Sequence, residues 1–492
     1  MRSRVLPFLF AAASTWLLAA CGSIPAYVPD LARPDRARPL AIDGTHGPLD
    51  AQASHRVLAR LQGRSPDTDV LGRHLAIEEA ITGTPLTTGN RVTLLQDGPA
   101  TYDAMFAAIA AARDHVDLET YILEDDEAGH RFAQVLAERQ RAGVQVNILR
   151  DSVGTLKTPA AFWQPLRDAG VRIVEFNPVN PLKAGAGWDL NQRDHRKLLE
   201  VDGRVAILGG INISAVYSSS GGSHGSGGGS GGGGAGGNDA GRAGAVPAGG
   251  ASAPGQPGDR QPGWRDTDIR VEGPAAADCE RLFLAAWEAQ KGPPLPARAA
   301  AAPASDAATG HDIVRIVGSG PDDSYSVMFS ALLSAIGNAE TSVHLTNAYF
   351  VPDPQLLAAL QAAARRGVDV SLVLPGHTDS WLVLQAGHRH YDALLAAGVK
   401  IHERRGAVLH SKTAAIDGVW STVGSTNLDW RSFLHNHELN AIVLGPTFGA
   451  QLEALFQRDL AASDAITLES WRQRPVKARA SEVFAGAWEW WL

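Results

Sequence analysis

Cysteine is nearly missing from this chain: 492 residues carry only Cys21 and Cys279. Two cysteines cannot build a disulfide framework, and they exclude a cysteine-based metal site. An excess of basic charge is missing too. The formal net charge is −8, which gives no global pull toward nucleic acid, although a local basic pocket remains open to the fold. No clusters of interleaved aromatic and basic residues argue for a nucleic-acid groove. The chain also starts without a full membrane span. The apolar run from Val5 to Ala20 is shorter than the roughly 20 residues needed to cross a bilayer.

That run has another use. Arg2 and Arg4 precede it and Leu18-Ala-Ala-Cys21 follows, which is the basic, apolar and small-residue order of an export signal. The ending resembles a bacterial lipobox and implies cleavage before Cys21, with lipid attached to its side chain. Cys279 then has no disulfide partner, and its helical surroundings "AAADCERLFLAAW" suit a small core residue. Gly22 and Ser23 follow, with no Asp of the inner-membrane retention type. The expected location is the cell envelope, on the periplasmic side of the inner or outer membrane.

Glycine is abundant, at 52 residues, and much of it lies in one tract. Residues 218–263 are Gly/Ser- and then Pro/Gly/Ala-rich and cannot bury enough surface to fold. Residues 1–20 are the expected signal, and 21–90 a tether with a lead-in helix at "GRHLAIEEAIT". From 91 to 290, short β-rich runs alternate with amphipathic helical ones, and the order recurs over 311–470 after a Pro/Ala-rich linker at 291–310. "RAGVQVNIL" matches "RRGVDVSLV", and "DAGVRI" matches "AAGVKI". This is a two-fold duplication with a period too long for a solenoid. Each half is expected to be an α/β/α layer structure around a central mixed sheet. The last residues, 471–492, form a Trp-rich tail containing Trp488, Trp490 and Trp491. Tryptophan favours the headgroup zone of a bilayer, so a membrane surface is one expected partner, with packing back onto the domain as the alternative.

The duplication carries chemistry. "HRKLLEVDGRVAILGGIN" and "HSKTAAIDGVWSTVGSTN" share one spacing: His, any, Lys, four residues, Asp, six residues, Gly, a small residue, any, Asn. On a strand, residues two apart face the same way. His195 and Lys197 therefore project together, as do His410 and Lys412. Asp202-Gly203 and Asp417-Gly418 are hairpin signals, which makes Asp202 and Asp417 turn residues first. The return strands lead to Gly209, or to Gly424 and Ser425, and then to Asn212 and Asn427. Two imidazoles, two ammonium groups and two carboxamides around one phosphate suit phosphodiester chemistry. One His attacks phosphorus and the other protonates the leaving alcohol, while Lys197, Lys412, Asn212 and Asn427 stabilise the added charge. An attacking imidazole needs an acceptor on its other nitrogen. Asp266 and Glu438 each lie seven residues before a Gly-Pro, at matching places in the duplication. Asp266 is expected to orient His195, and Glu438 to orient His410.

The two motifs resemble the paired HxK(x)4D(x)6GSxN signatures of the phospholipase D superfamily, with Gly210 in the usual Ser position of the first. The wording "NQRDHRKLLEVDG" with "GGIN", and "GSTNLDWRSF" running into "NHELN", is most similar to bacterial cardiolipin synthases. The resemblance implies two fused α/β domains with the active site at their interface. It also implies a phosphohistidine intermediate, with the first-half imidazole, here His195, as nucleophile and His410 as acid and base. The expected reaction is phosphatidyl transfer between two phosphatidylglycerols, giving cardiolipin and glycerol. Phosphatidylethanolamine is a second candidate substrate. Water as acceptor would make the chain a phospholipase D or another phosphodiesterase, and a non-catalytic lipoprotein that binds anionic lipid is the last alternative. Nothing in the sequence asks for a metal or an organic cofactor. The oligomeric state is left open.

Overall fold

The computed structural model describes residues 24–26, 42–45, 47–62, 72, 74, 75, 81, 85–180, 188–219, 263–298 and 310–492. The signal, Cys21, nearly all of the Gly-rich insertion and most of the linker lie outside them.

The duplication is visible in the sheets. In the first half the strand order is Arg172–Phe176, Gln145–Asp151, His115–Thr120, Leu198–Val201, Val205–Gly209, Thr267–Glu272, Leu86–Gln96. The first three are parallel, and every later pairing is antiparallel. The second half repeats this order with Lys400–Arg404, Asp369–Pro375, Ser342–Asn347, Lys412–Ile416, Trp420–Gly424, Asn436–Leu444 and Asp312–Ser319. The parallel strands are joined by crossover helices, Glu127–Arg141 and Ala160–Asp168 in one half and Pro354–Arg365 in the other. Together these layers are the fused, phospholipase D-like α/β architecture expected.

Each carboxylate-bearing strand ends in the Gly-Pro pair noted in the sequence. Gly273 and Gly445 take φ of 129° and 117°, a region closed to residues with a Cβ. Pro274 and Pro446 then open the helices Pro274–Ala289 and Pro446–Ala461, where a missing N–H costs nothing. Apolar side chains of both helices and both sheets share one central cluster, including Cys279, Phe283, Ile269, Val423 and Phe448. Cys279 is fully buried there.

Two departures from the sequence reading bear on the site. The strand expected from Arg91 starts at Leu86. Its "LTTGN" lead-in, placed in the tether by the sequence reading, pairs with Asp312–Ser319 of the second half, while the rest of the strand pairs with Thr267–Glu272. The polar side chains make this possible: Thr87 Oγ1 donates to the Val314 carbonyl, and Asn90 Oδ1 accepts from the Ala275 N–H. The two halves are thus one hydrogen-bonded body. At the other end, the Trp-rich segment is folded into helices Leu468–Arg472 and Val476–Gly486 and a 3-10 turn, Glu489–Trp491. Trp490 packs on Trp430 with ring centroids 4.9 Å apart and planes inclined at 45°. Among the described residues no helix is long and apolar enough to cross a membrane.

Candidate active site

His195 and His410 do not lie on the regular strands that follow them. Each sits in an extended lead-in, before Leu198–Val201 or Lys412–Ile416. The reason is that these lead-ins leave their own sheet and pair with the opposite half. His195 N donates to the His437 carbonyl (2.9 Å) and His410 N to the Arg265 carbonyl (2.8 Å).

That exchange reverses the expected carboxylate pairing. Asp266 does not orient His195, nor Glu438 His410. His195 Nδ1 lies 3.0 and 3.1 Å from Glu438 Oε1 and Oε2, and His410 Nδ1 lies 2.7 Å from Asp266 Oδ2. Each half thus supplies the imidazole for one pair and the carboxylate for the other. A carboxylate on Nδ1 selects the Nδ1–H tautomer and leaves a lone pair on Nε2. The same contacts explain why Gly210 replaces the motif's Ser. A Cβ on Gly210 would lie 2.3 Å from Asp266 Oδ1, so glycine makes room for the shorter acid. In the other copy Ser425 Oγ donates to Glu438 Oε2 at 2.5 Å.

Both imidazole–carboxylate pairs and both lysines are buried. Burial, with Lys197 and Lys412 nearby, outweighs the Glu438 charge and pulls His195 down to about 4. Burial and Lys412 also lower His410. Lys197 falls to about 7 and Lys412 to about 8, mainly because an ammonium loses its hydration there. Burial works to raise the Glu438 carboxyl as well, but His195, Lys197 and the Ser425 hydroxyl hold it below its usual value. At the His195–Glu438 pair these shifts favour a neutral imidazole against a carboxylate. Lys197 Nζ donates to the His195 carbonyl at 2.5 Å and Lys412 Nζ to the His410 carbonyl.

His195, His410, Asn212 and Asn427 open onto one cavity of about 320 Å³. Asn212 Oδ1 accepts from Ile122 N (3.1 Å) and its Nδ2 faces Tyr217 Oη. The Asn427 backbone N–H donates to Ser432 Oγ. Gly209 and Gly424 stand where a Cβ would strike the neighbouring carboxylate strand. Asp202 and Asp417 are outside the cavity, at turns where they take φ of 58° and 53°. Asp202 accepts from the N–H groups of Arg113, Asp114 and His115, and Asp417 from those of Glu340, Thr341 and Ser342. Both carboxylates cap a helix-to-strand loop of their own half.

The sequence reading missed the walls. Tyr121 stands edge-on to His195 at 5.1 Å, and Trp264, Tyr217 and Tyr349 surround His410. Tyr121 and Tyr349 follow equivalent strands of the two halves, so the duplication carried a usable signal. Trp264 follows the insertion and had none. Arg431, in the quoted "NLDWRSF", also lines the cavity, where Asn191 holds its guanidinium. One group with metal-like composition, His115, Asp117, Glu200 and Glu280, lies outside the cavity. Arg298 donates there to Asp117 and Glu280 and supplies the positive charge.

A family model described as "Cardiolipin synthase, PLD-like domain" matches residues 105–219 and 332–460, one stretch around each His/Lys pair. The cardiolipin synthase of Geobacillus kaustophilus is 31% identical over 399 residues, covering 81% of this chain and 72% of that protein. The cardiolipin synthase of Geobacillus sp. is 30% identical over 417 residues, or 84% and 75% of the two chains. The chain belongs to the phospholipase D-like cardiolipin synthase family. It is thus an enzyme of the phosphatidyltransferase class within the phospholipase D superfamily. The fold extends to a solved phosphatidylserine synthase of Haemophilus influenzae, with a TM-score of 0.57 and 11% identity over 84% of this chain and all of that one.

Proposed function

We propose that this member of the family makes cardiolipin by moving a phosphatidyl group from one phosphatidylglycerol to another. The observation that carries the proposal is two imidazoles on one cavity, each tied through Nδ1 to a carboxylate from the opposite half. His195 Nε2 attacks phosphorus, the bond to glycerol oxygen breaks, and His410 delivers a proton to that oxygen. A primary hydroxyl of the second phosphatidylglycerol then gives its proton to His410. Its oxygen attacks phosphorus, and the N–P bond breaks to free His195. Glu438 orients the nucleophile and Asp266 the acid and base. Lys197, Lys412, Asn212 and Asn427 take up charge on the phosphoryl oxygens. An acid must carry a proton, and the arriving phosphodiester anion favours the charged form of His410. Tyr121, Tyr349 and Trp264 narrow the cavity and limit water, which favours a lipid hydroxyl as acceptor. Lipid on Cys21 would hold the enzyme at an envelope membrane, where its substrates lie.

The test is product analysis on mixed micelles of phosphatidylglycerol, alone and with phosphatidylethanolamine. Cardiolipin plus glycerol, both lost in His195→Ala, is the expected result. Phosphatidic acid without cardiolipin would make water the acceptor and overturn the synthase reading.

A further inference from the structure

The helix Val476–Gly486 is inverted. Its inward positions include Ser481, Glu482 and Ala485. Ser481 Oγ donates to Gln385 Oε1 (3.0 Å), and Arg474 Nη2 donates to Glu482 Oε1 (2.6 Å). Its exposed positions include large apolar side chains beside Lys477 and Arg479. Val476, Val483 and Phe484 are 81%, 70% and 59% exposed, and Trp488 and Trp491 follow at 48% and 51%. A surface helix normally turns its apolar stripe to the core. Here small and polar residues glue the helix down while the stripe faces away, and a stripe of this kind marks an interaction surface.

Its position is informative. The helix packs against Trp381–His388, and Trp381 is itself 54% exposed, two residues from the cavity-lining Asp379. Beyond the helix, the Leu492 carbonyl accepts from the N–H of Arg431, another cavity residue. The segments around the patch are thus tied to chain that also lines the cavity, through Asp379 and Arg431.

We propose that this stripe is an interfacial docking surface that seats the enzyme on a phospholipid bilayer beside the opening of its cavity. The proposal rests on the phospholipid-substrate reading above. Val476, Val483 and Phe484 would enter the headgroup–acyl boundary, with Trp488 and Trp491 at headgroup depth. Lys477, exposed on the same helix, would meet anionic headgroups, beside the exposed Arg479, whose guanidinium also donates to the Arg472 carbonyl. Charge separates a bilayer from a second copy of the chain. An isologous contact through this stripe sets like charges against each other, whereas an anionic lipid surface complements them.

The experiment uses full-length enzyme with Val483→Cys carrying a polarity-sensitive fluorophore, compared with a label at Glu138→Cys on an exposed helix of the first half. Cys279 is buried, and the chain without an added cysteine sets the background. Phosphatidylglycerol vesicles should blue-shift the label at 483 and leave that at 138 unchanged. No shift, or equal shifts, overturns the proposal. A shift without vesicles that grows with protein concentration assigns the patch to self-association and overturns it as well. Replacing Val483, Phe484 and Trp488 by Ser should lower the rate on vesicles by about tenfold or more, as expected when interfacial area is lost, while sparing the rate on monomeric short-chain phosphatidylglycerol. Equal loss on both forms means a structural role and sinks the proposal. If wild-type enzyme turns over neither form yet the label at 483 still shifts, the substrate reading fails and the docking surface stands.

Discussion

Glu438 and Asp266 serve different imidazoles, so substituting them should block different events. With a phosphatidyl donor whose leaving group needs no proton, such as a nitrophenol, His410→Ala and Asp266→Asn should retain rapid release of the first product. His195→Ala and Glu438→Gln should lose it by two or more orders of magnitude, the scale of a lost nucleophile or of its orienting group. The opposite pattern would exchange the roles of the two halves. The lysines set the alkaline limit. Lys197 near 7 and Lys412 near 8 lose their protons as pH rises through that range, so kcat/KM should fall there. On the acid side His195 stays neutral down to about 4, and its own limb should appear only near that value. Lys197→Arg keeps its charge and should move the alkaline limb upward; an unmoved limb would assign it to another group.

The Asp-Gly hairpins belong to the scale of elements. Asp417 anchors three backbone N–H groups with a carboxyl held near 2, where burial alone would have raised it, because His74 and those amides bind its charged form. Its pKa is depressed below 3.8 in the fold. The stabilisation it gives is therefore present above about pH 4 and fades as pH falls toward 2. Asp417→Ala strands those donors and should cost about 1–3 kcal/mol, read as a lower denaturation midpoint, with kcat in the folded fraction nearly unchanged. A large fall in kcat at unchanged stability would instead place the Asp in the chemistry. Here the structure agrees with what Asp-Gly implies by itself, since the turn is a local event.

Across the whole molecule the halves are held together at Arg265. Its guanidinium donates to Asp459 through Nε (2.8 Å) and Nη2 (2.7 Å), reaching from the first half into the second, and to Asp97 of its own half. Its backbone carbonyl meanwhile holds His410 in place. Removing one partner of a buried ion pair costs about 3–5 kcal/mol, so Arg265→Ala should lower the melting temperature markedly. Calorimetry of the wild-type enzyme should show one transition, because the Leu86–Gln96 strand ties the two sheets together. Two separate transitions would contradict a single cooperative body.

What the sequence determined by itself was everything encoded locally or by repetition. That covers the α/β alternation, the duplication, the His/Lys spacing, the Asp-Gly turns and the Gly-Pro strand ends, because turn chemistry and two-residue periodicity act over a few neighbours. Even the two orienting acids were legible, from their equal distance to Gly-Pro. Which acid meets which imidazole was not. Duplication says what is equivalent between halves, but contact across an interface depends on strands leaving one sheet for the other, and no local signal encodes that exchange. Trp264 in the cavity wall and the outward stripe of Val476–Gly486 were hidden for the same reason. Periodicity shows that a helix has an apolar face, and only its tertiary neighbours decide whether that face is buried or turned toward something else.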